Sequence, residues 1–167
     1  DLVNEVGRDA ARFIMLNRSN DMELDFDFEK VKEKTKENPV YYVQYAYARI
    51  NSVFANAKVN LDGIFKLKKH SENFNEHEIE LIKKISEWPN CVKLSADNLE
   101  PHKITFFLYD LATVFHAYWN LGKQDHTYKF IDDSKKIKEN AHAILKALAI
   151  VIKNGMKILG VSTPSKM

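Results

Sequence analysis

Apolar residues recur along this chain every three or four positions, and only one short stretch alternates as a strand would. In residues 1–18, Val3, Val6, Ala10, Phe13, Ile14 and Leu16 fall on one stripe, which predicts a helix weakened at Gly7. Ser19-Asn20-Asp21 then stops it. The alternation lies at Leu24-Asp25-Phe26-Asp27-Phe28, readable as a short extended piece or the beginning of a helix, and a brief charged helix to about Lys36 follows. Residues 1–37 therefore read as a connector.

Asn38-Pro39 opens the next helix: asparagine can cap free amides, and proline at the first helical position sacrifices no hydrogen bond. Val40, Val43, Tyr47, Ile50 and Phe54 share one arc and carry it to about Asn56. A turn or short helix is expected near Asp62 to Lys68. Ile79, Ile82 and Ile85 mark a helix closing near Trp88-Pro89, and a short one is expected over Cys91–Ala96. Glu100-Pro101 starts a long helix through Ile104, Leu108, Leu111, Phe115 and Tyr118, with Gly122 as its stop. The last helix, from about Ser134 to Gly160, carries Ile137, Ala141, Ile144, Leu148, Val151 and Ile152. Four long helices with short connectors predict an all-α bundle over residues 38–167.

Composition sharpens this picture. Five glycines and four prolines in 167 residues argue against a turn-rich β fold, and 45% hydrophobic content supplies one ordinary core. No apolar run is long enough to cross a membrane and no signal-peptide pattern opens the chain, so a cytoplasmic protein without membrane contact is expected. The single cysteine, Cys91, leaves no internal disulfide and suits a reducing compartment. A chain that opens Asp1-Leu2-Val3 without methionine reads as a piece of a larger protein. The net charge of +2 is unevenly spread: residues 1–37 carry −3, residues 38–128 are neutral and residues 129–167 carry +5. The C-terminal stretch is thus the end suited to a phosphate backbone.

Catalytic signals are missing. His77-Glu78-Ile79-Glu80-Leu81 starts like a zinc-protease helix, but Leu81 stands where the second histidine must be. The sequence holds no glycine-rich phosphate loop, nucleophile elbow or metal-ligand spacing, so neither a catalytic residue nor a cofactor is assigned. Ser165-Lys166-Met167 is too short a match to a peroxisomal address to carry weight.

One helix face does carry chemistry. At 100° per residue, Tyr42, Tyr45 and Arg49 fall within an arc of about 60°, with Ser52 and Asn56 beside them, which predicts a face turned to water. In a bundle such tyrosines ordinarily cover the edge of a neighbouring helix. Held in the open, two rings and a guanidinium would instead stack on unpaired bases and contact phosphate or base edges. The same rings would serve a helical protein–protein interaction domain as anchors. On the last helix Lys135, Lys146, Lys153 and Lys157 share a narrow arc opposite the apolar stripe, giving a basic face. Trp119 sits at the margin of the core stripe, beside the face of His116 and Asn120.

The run Asn38-Pro39-Val40-Tyr41-Tyr42-Val43-Gln44-Tyr45-Ala46-Tyr47-Ala48-Arg49-Ile50 resembles a signature of bacterial arginyl-tRNA synthetases, with Tyr47 where histidine is common. Glu5-Val6-Gly7-Arg8-Asp9-Ala10-Ala11-Arg12-Phe13, Phe115-His116-Ala117-Tyr118-Trp119-Asn120 and Val151-Ile152-Lys153-Asn154-Gly155 extend the similarity, which is least distinct over residues 58–99. The resemblance implies a helical C-terminal DALR domain that binds the anticodon loop of tRNA-Arg. It also implies a monomer joined to its own N-terminal catalytic domain, where arginine is ligated with ATP. On the matching positions it assigns RNA contacts to Tyr42, Tyr45 and Arg49, and further to Trp119 and Met167; Lys153 and Lys157, from the basic face of the last helix, would add electrostatic attraction to RNA. Trp119 replaces a usual tyrosine, so stacking would persist there while a hydroxyl contact would be lost.

Overall fold

A computed structural model describes residues 2–19, 28–33, 35–65 and 73–167. Eight helices follow one another among these residues: α1 (Leu2–Val6), α2 (Arg8–Leu16), α3 (Phe28–Lys32), α4 (Pro39–Asn56), α5 (Glu76–Ser86), α6 (Trp88–Asp97), α7 (His102–Gln124) and α8 (Glu139–Leu159). A single 3-10 turn, His126–Tyr128, joins the last two. Among the described residues, β pairing is limited to one bridge between Ile131 and Ile137. The chain is an all-α bundle.

Each long helix forms for local reasons and is then fixed by packing. Asn38 caps α4, its side-chain oxygen accepting from the Tyr41 amide at 3.3 Å, while its amide donates to the carbonyls of Val31 and Glu33 at 2.6 and 3.0 Å. One buried side chain thus both starts α4 and ties the preceding segment to it. Asn75 and Glu78 form a reciprocal capping box on α5. The core runs through α2, α4, α7 and α8, with Phe13, Ile50, Phe54, Leu108, Leu111, Phe115, Leu145, Leu148 and Ile152 all essentially without solvent contact. Side chains buried this fully contribute about 2–5 kcal/mol each against truncation to alanine. α7 is the central post, touching α4, α5, α6 and α8.

Several boundaries differ from the sequence pattern, for identifiable reasons. The first helix is two, because Gly7 takes φ 86°, a left-handed conformation that interrupts the backbone ladder. α6 begins at Trp88 rather than Cys91, almost continuous with α5. α7 passes through Gly122 to Gln124; the missing side chain lets residues 128–129 approach, since a Cβ there would lie 3.3 Å from the Tyr128 carbonyl oxygen. α8 begins at Glu139 rather than Ser134, because the Asp132 carboxylate accepts from the Ser134 and Lys136 amides and holds the preceding residues in a turn. Lys135, with φ 62°, belongs to that turn and not to the helix. The alternating stretch at 24–27 and the end of the expected turn or helix at 66–68 lie outside the described residues.

α2 is part of the bundle. Phe13 is fully buried, Arg12 Nε donates to the Leu159 carbonyl at 2.9 Å, and Asp9 accepts from both the amide and the hydroxyl of Ser162. Gln44 completes the joint, donating to Asp9 and to the Ser162 carbonyl at 3.0 Å each. No helix among the described residues is long and apolar enough to cross a membrane.

Candidate nucleic-acid interface

The spacing of Tyr42, Tyr45 and Arg49 puts them on one face of α4, and that face meets α7. The expectation of rings standing free in water is therefore corrected: all three side chains are half-buried, because Tyr109, His116 and Trp119 of α7 come up against them. Tyr42 lies 4.4 Å from the His116 ring and 5.3 Å from Tyr109. Tyr45 stacks between Tyr41, at 5.6 Å, and His116, at 5.7 Å. The rings form a short aromatic row along the α4–α7 seam.

Arg49 is the hub of this seam. Its guanidinium carbon sits 4.2 Å over the Tyr45 ring and 5.0 Å over the Trp119 ring, so the charge lies against two negative π-faces. One Nη donates to the Tyr45 hydroxyl at 3.1 Å, and the other meets His116 Nδ1 at 2.8 Å. A guanidinium has only donors, so Nδ1 must accept; the proton then sits on Nε2, which donates to the Tyr42 carbonyl at 3.1 Å. His116 is 3% exposed, and its pKa is lowered to about 4, first by burial and then by the neighbouring Arg49 charge. It is neutral at physiological pH. A cleft of about 400 Å³ opens over this arrangement, lined by Thr35, Lys36, Tyr41, Tyr42, Tyr45, Arg49, His116 and Asn120. Tyr109, whose hydroxyl donates to the Lys36 carbonyl, has its pKa raised chiefly by burial.

The remaining residues singled out by sequence are placed differently. Trp119 joins the cluster through Arg49 and also walls a second, more apolar cleft with Val53, Tyr128 and Phe130. Met167 is 54% exposed and is not among the residues lining the Arg49 cleft. The lysine face of α8 is not a uniform stripe. Lys135 lies before the helix, and Lys146 donates to the carbonyls of Leu61 and Gly63, holding that loop against α8. Lys153 stands 3.8 Å from Asp62, whereas Lys157 is exposed. Neither Lys153 nor Lys157 lines the cleft. His116 was not assigned a role from sequence; the available signal was its place one turn before Asn120 and next to Trp119 on a single face of α7.

Half-buried aromatic rings around a fixed cation line a cleft on this helical frame, and a family model described as the DALR anticodon binding domain matches residues 43–167. The chain belongs to this DALR family. It is 53% identical over its whole length to an arginine–tRNA ligase from Pelagibacter ubique and 44% identical to one from Roseobacter denitrificans. It spans 29% and 30% of those two proteins. Its fold superposes with a TM-score of 0.84 on a Campylobacter jejuni protein provisionally designated an arginyl-tRNA synthetase, at 26% identity, covering all of this chain and 35% of that one. The arginyl-tRNA synthetase of Thermus thermophilus shares the fold, with a TM-score of 0.73 at 22% identity over 98% of this chain and 27% of that one.

Proposed function

We propose that this chain is the anticodon-binding part of an arginine–tRNA ligase, gripping the anticodon loop of tRNA-Arg while the remainder of the enzyme ligates arginine with ATP in the cytoplasm. The observation that carries this reading is Arg49, held against Tyr45 and Trp119 and hydrogen-bonded to Tyr45 and His116. Unpaired bases offer π-faces for the tyrosine rings and acceptor edges for the remaining guanidinium N–H groups, and each stack is worth on the order of 1–3 kcal/mol. Belonging to the DALR family and the 53% identity to an arginine–tRNA ligase support the same assignment. With the rest of the tRNA contacts lying elsewhere, the isolated chain is expected to bind in the micromolar range or weaker and to lose affinity steeply with salt.

Band shifts at low salt, comparing tRNA-Arg with a tRNA of different anticodon, test this directly. Preferential retardation of tRNA-Arg, weakened by Arg49→Ala, is the expected result. Equal failure with both tRNAs, or a double Tyr42→Ala/Tyr45→Ala variant that binds RNA unchanged, overturns the proposal. Were that double variant to lose a protein complex instead, the cleft would be a protein-docking surface.

A further inference from the structure

The Arg49 cleft contains a buried group that is not itself positioned to be the principal contact. His116 comes from α7, 67 residues away in sequence, and reaches the guanidinium through its Nδ1 at 2.8 Å while its Nε2 holds the Tyr42 carbonyl at 3.1 Å. We propose that His116 is a positioning residue for RNA recognition: as the neutral Nε2–H tautomer it locks the Arg49 guanidinium in the one orientation that presents its free N–H groups to an acceptor-bearing base edge. This inference rests on the reading of the cleft as an RNA site.

The geometry leaves little freedom. A guanidinium has five N–H donors in a rigid plane, so two fixed hydrogen bonds define its orientation. Here one runs to His116 and one to the Tyr45 hydroxyl, and the guanidinium carbon lies 4.2 and 5.0 Å from the centroids of the Tyr45 and Trp119 rings. Nε–H and one hydrogen on each Nη remain, an array that pairs with adjacent acceptors on a base and has no acceptor to offer a donor edge. Tyr45 can provide a bond to Arg49 in more than one hydroxyl orientation, but His116 cannot swing. It is buried, and its second nitrogen is engaged by the backbone of the same helix that carries Arg49. The lock is therefore built between α4 and α7. The other titratable or charged groups lining the cleft are Tyr41, Tyr42 and Tyr45 of α4 and Lys36 of the preceding segment; no carboxylate is among them. A neutral acceptor at Nδ1 thus orients the guanidinium while leaving its charge uncompensated and available to RNA.

Two near-isosteres separate positioning from packing. Asparagine at position 116 can put its Oδ1 where Nδ1 stands and still accept from Arg49, whereas glutamine can put its amide nitrogen where Nε2 stands and keeps only the Tyr42 bond. Affinity for an anticodon stem-loop RNA of tRNA-Arg, measured by fluorescence anisotropy, is expected to stay within about threefold of wild type for His116→Asn and to fall roughly tenfold for His116→Gln, the scale of one hydrogen bond to a charged group. In a cycle with Arg49→Ala the His116→Gln loss should vanish, because there is no guanidinium left to orient. The imidazole nitrogen shifts at neutral pH should report a protonated Nε2 and a bare Nδ1. Three results overturn the proposal: His116→Gln binding like wild type, losses that add fully to that of Arg49→Ala, or a protonated Nδ1. Absence of RNA binding by the wild type would sink the proposed function and with it the RNA role assigned to His116, while the nitrogen shifts would decide separately whether the histidine–arginine lock exists.

Discussion

Two cationic regions of this molecule show how differently a positive charge can be held. On the α4–α7 seam, Arg49 is oriented by a histidine, a phenol and two aromatic faces. On α8, Lys146 is consumed by loop carbonyls, Lys153 faces Asp62, and Lys157 lies in solvent. The same helical periodicity announced both groups, but only the first has become a shaped site. A guanidinium already hydrogen-bonded and set against rings loses little further entropy when it meets a ligand, whereas a solvated lysine must be ordered afresh and contributes mainly through screened, long-range attraction. Orientation, more than net charge, distinguishes a shaped site from a merely basic surface.

The contrast can be broken most severely from beneath. Phe115, fully buried, precedes His116 on α7 and packs against Trp119 and Phe130. Phe115→Ala should cost about 3–5 kcal/mol of folding stability in urea titrations, while Lys157→Ala on α8 should leave the midpoint within experimental error. A comparable loss from the lysine variant would contradict the contrast.

The next largest effect is acid sensitivity. His116 ionises near 4 in the fold against an ordinary 6.5, so the unfolded chain takes up its proton first. Its contribution is complete above about pH 6.5, declines as pH falls from there to about 4, and is constant below. The shift corresponds to about 3 kcal/mol, read as the difference between the pH profiles of wild type and His116→Gln. His142 is also pushed down, by burial and then by Lys146, and cancels in that difference. Parallel profiles for the two proteins would remove His116 from the account.

Smaller again is the loss of a single ring. Tyr45→Ala should weaken stem-loop RNA binding by about 1–3 kcal/mol, with no change in the slope of log affinity against log salt, since no charge is removed. Lys157→Ala should do the reverse, costing under about 1 kcal/mol at moderate salt while flattening that slope by at most about one. Identical signatures for the two variants would erase the distinction between reading and attraction.

Much of the frame was legible before any coordinates. Asn38-Pro39 marked the start of α4, and the apolar stripes of α4, α7 and α8 named core residues that are indeed buried, among them Val43, Ile50, Leu108, Phe115 and Leu148. The site was legible only from one side. Periodicity tells which face of a helix is apolar, but not which helix will lie against its polar face, so the meeting of Arg49 with His116 and Trp119 had no local signal. For the same reason periodicity places Lys146 on a basic face although Leu61, 85 positions earlier, supplies its acceptor. The helix boundaries that moved did so where a side chain competed with the backbone ladder, as Asp132 does, or where its absence admitted another segment, as at Gly122.

The closeness of the indole to the guanidinium has a practical side. Of the two tryptophans, Trp88 is packed against Phe107, while Trp119 lies against the Arg49 guanidinium. In a Trp88→Phe background the molecule would carry a single tryptophan, beside the Arg49 cleft, and with excitation beyond the tyrosine band the colour and intensity of its emission would register whatever enters that cleft without any dye attached.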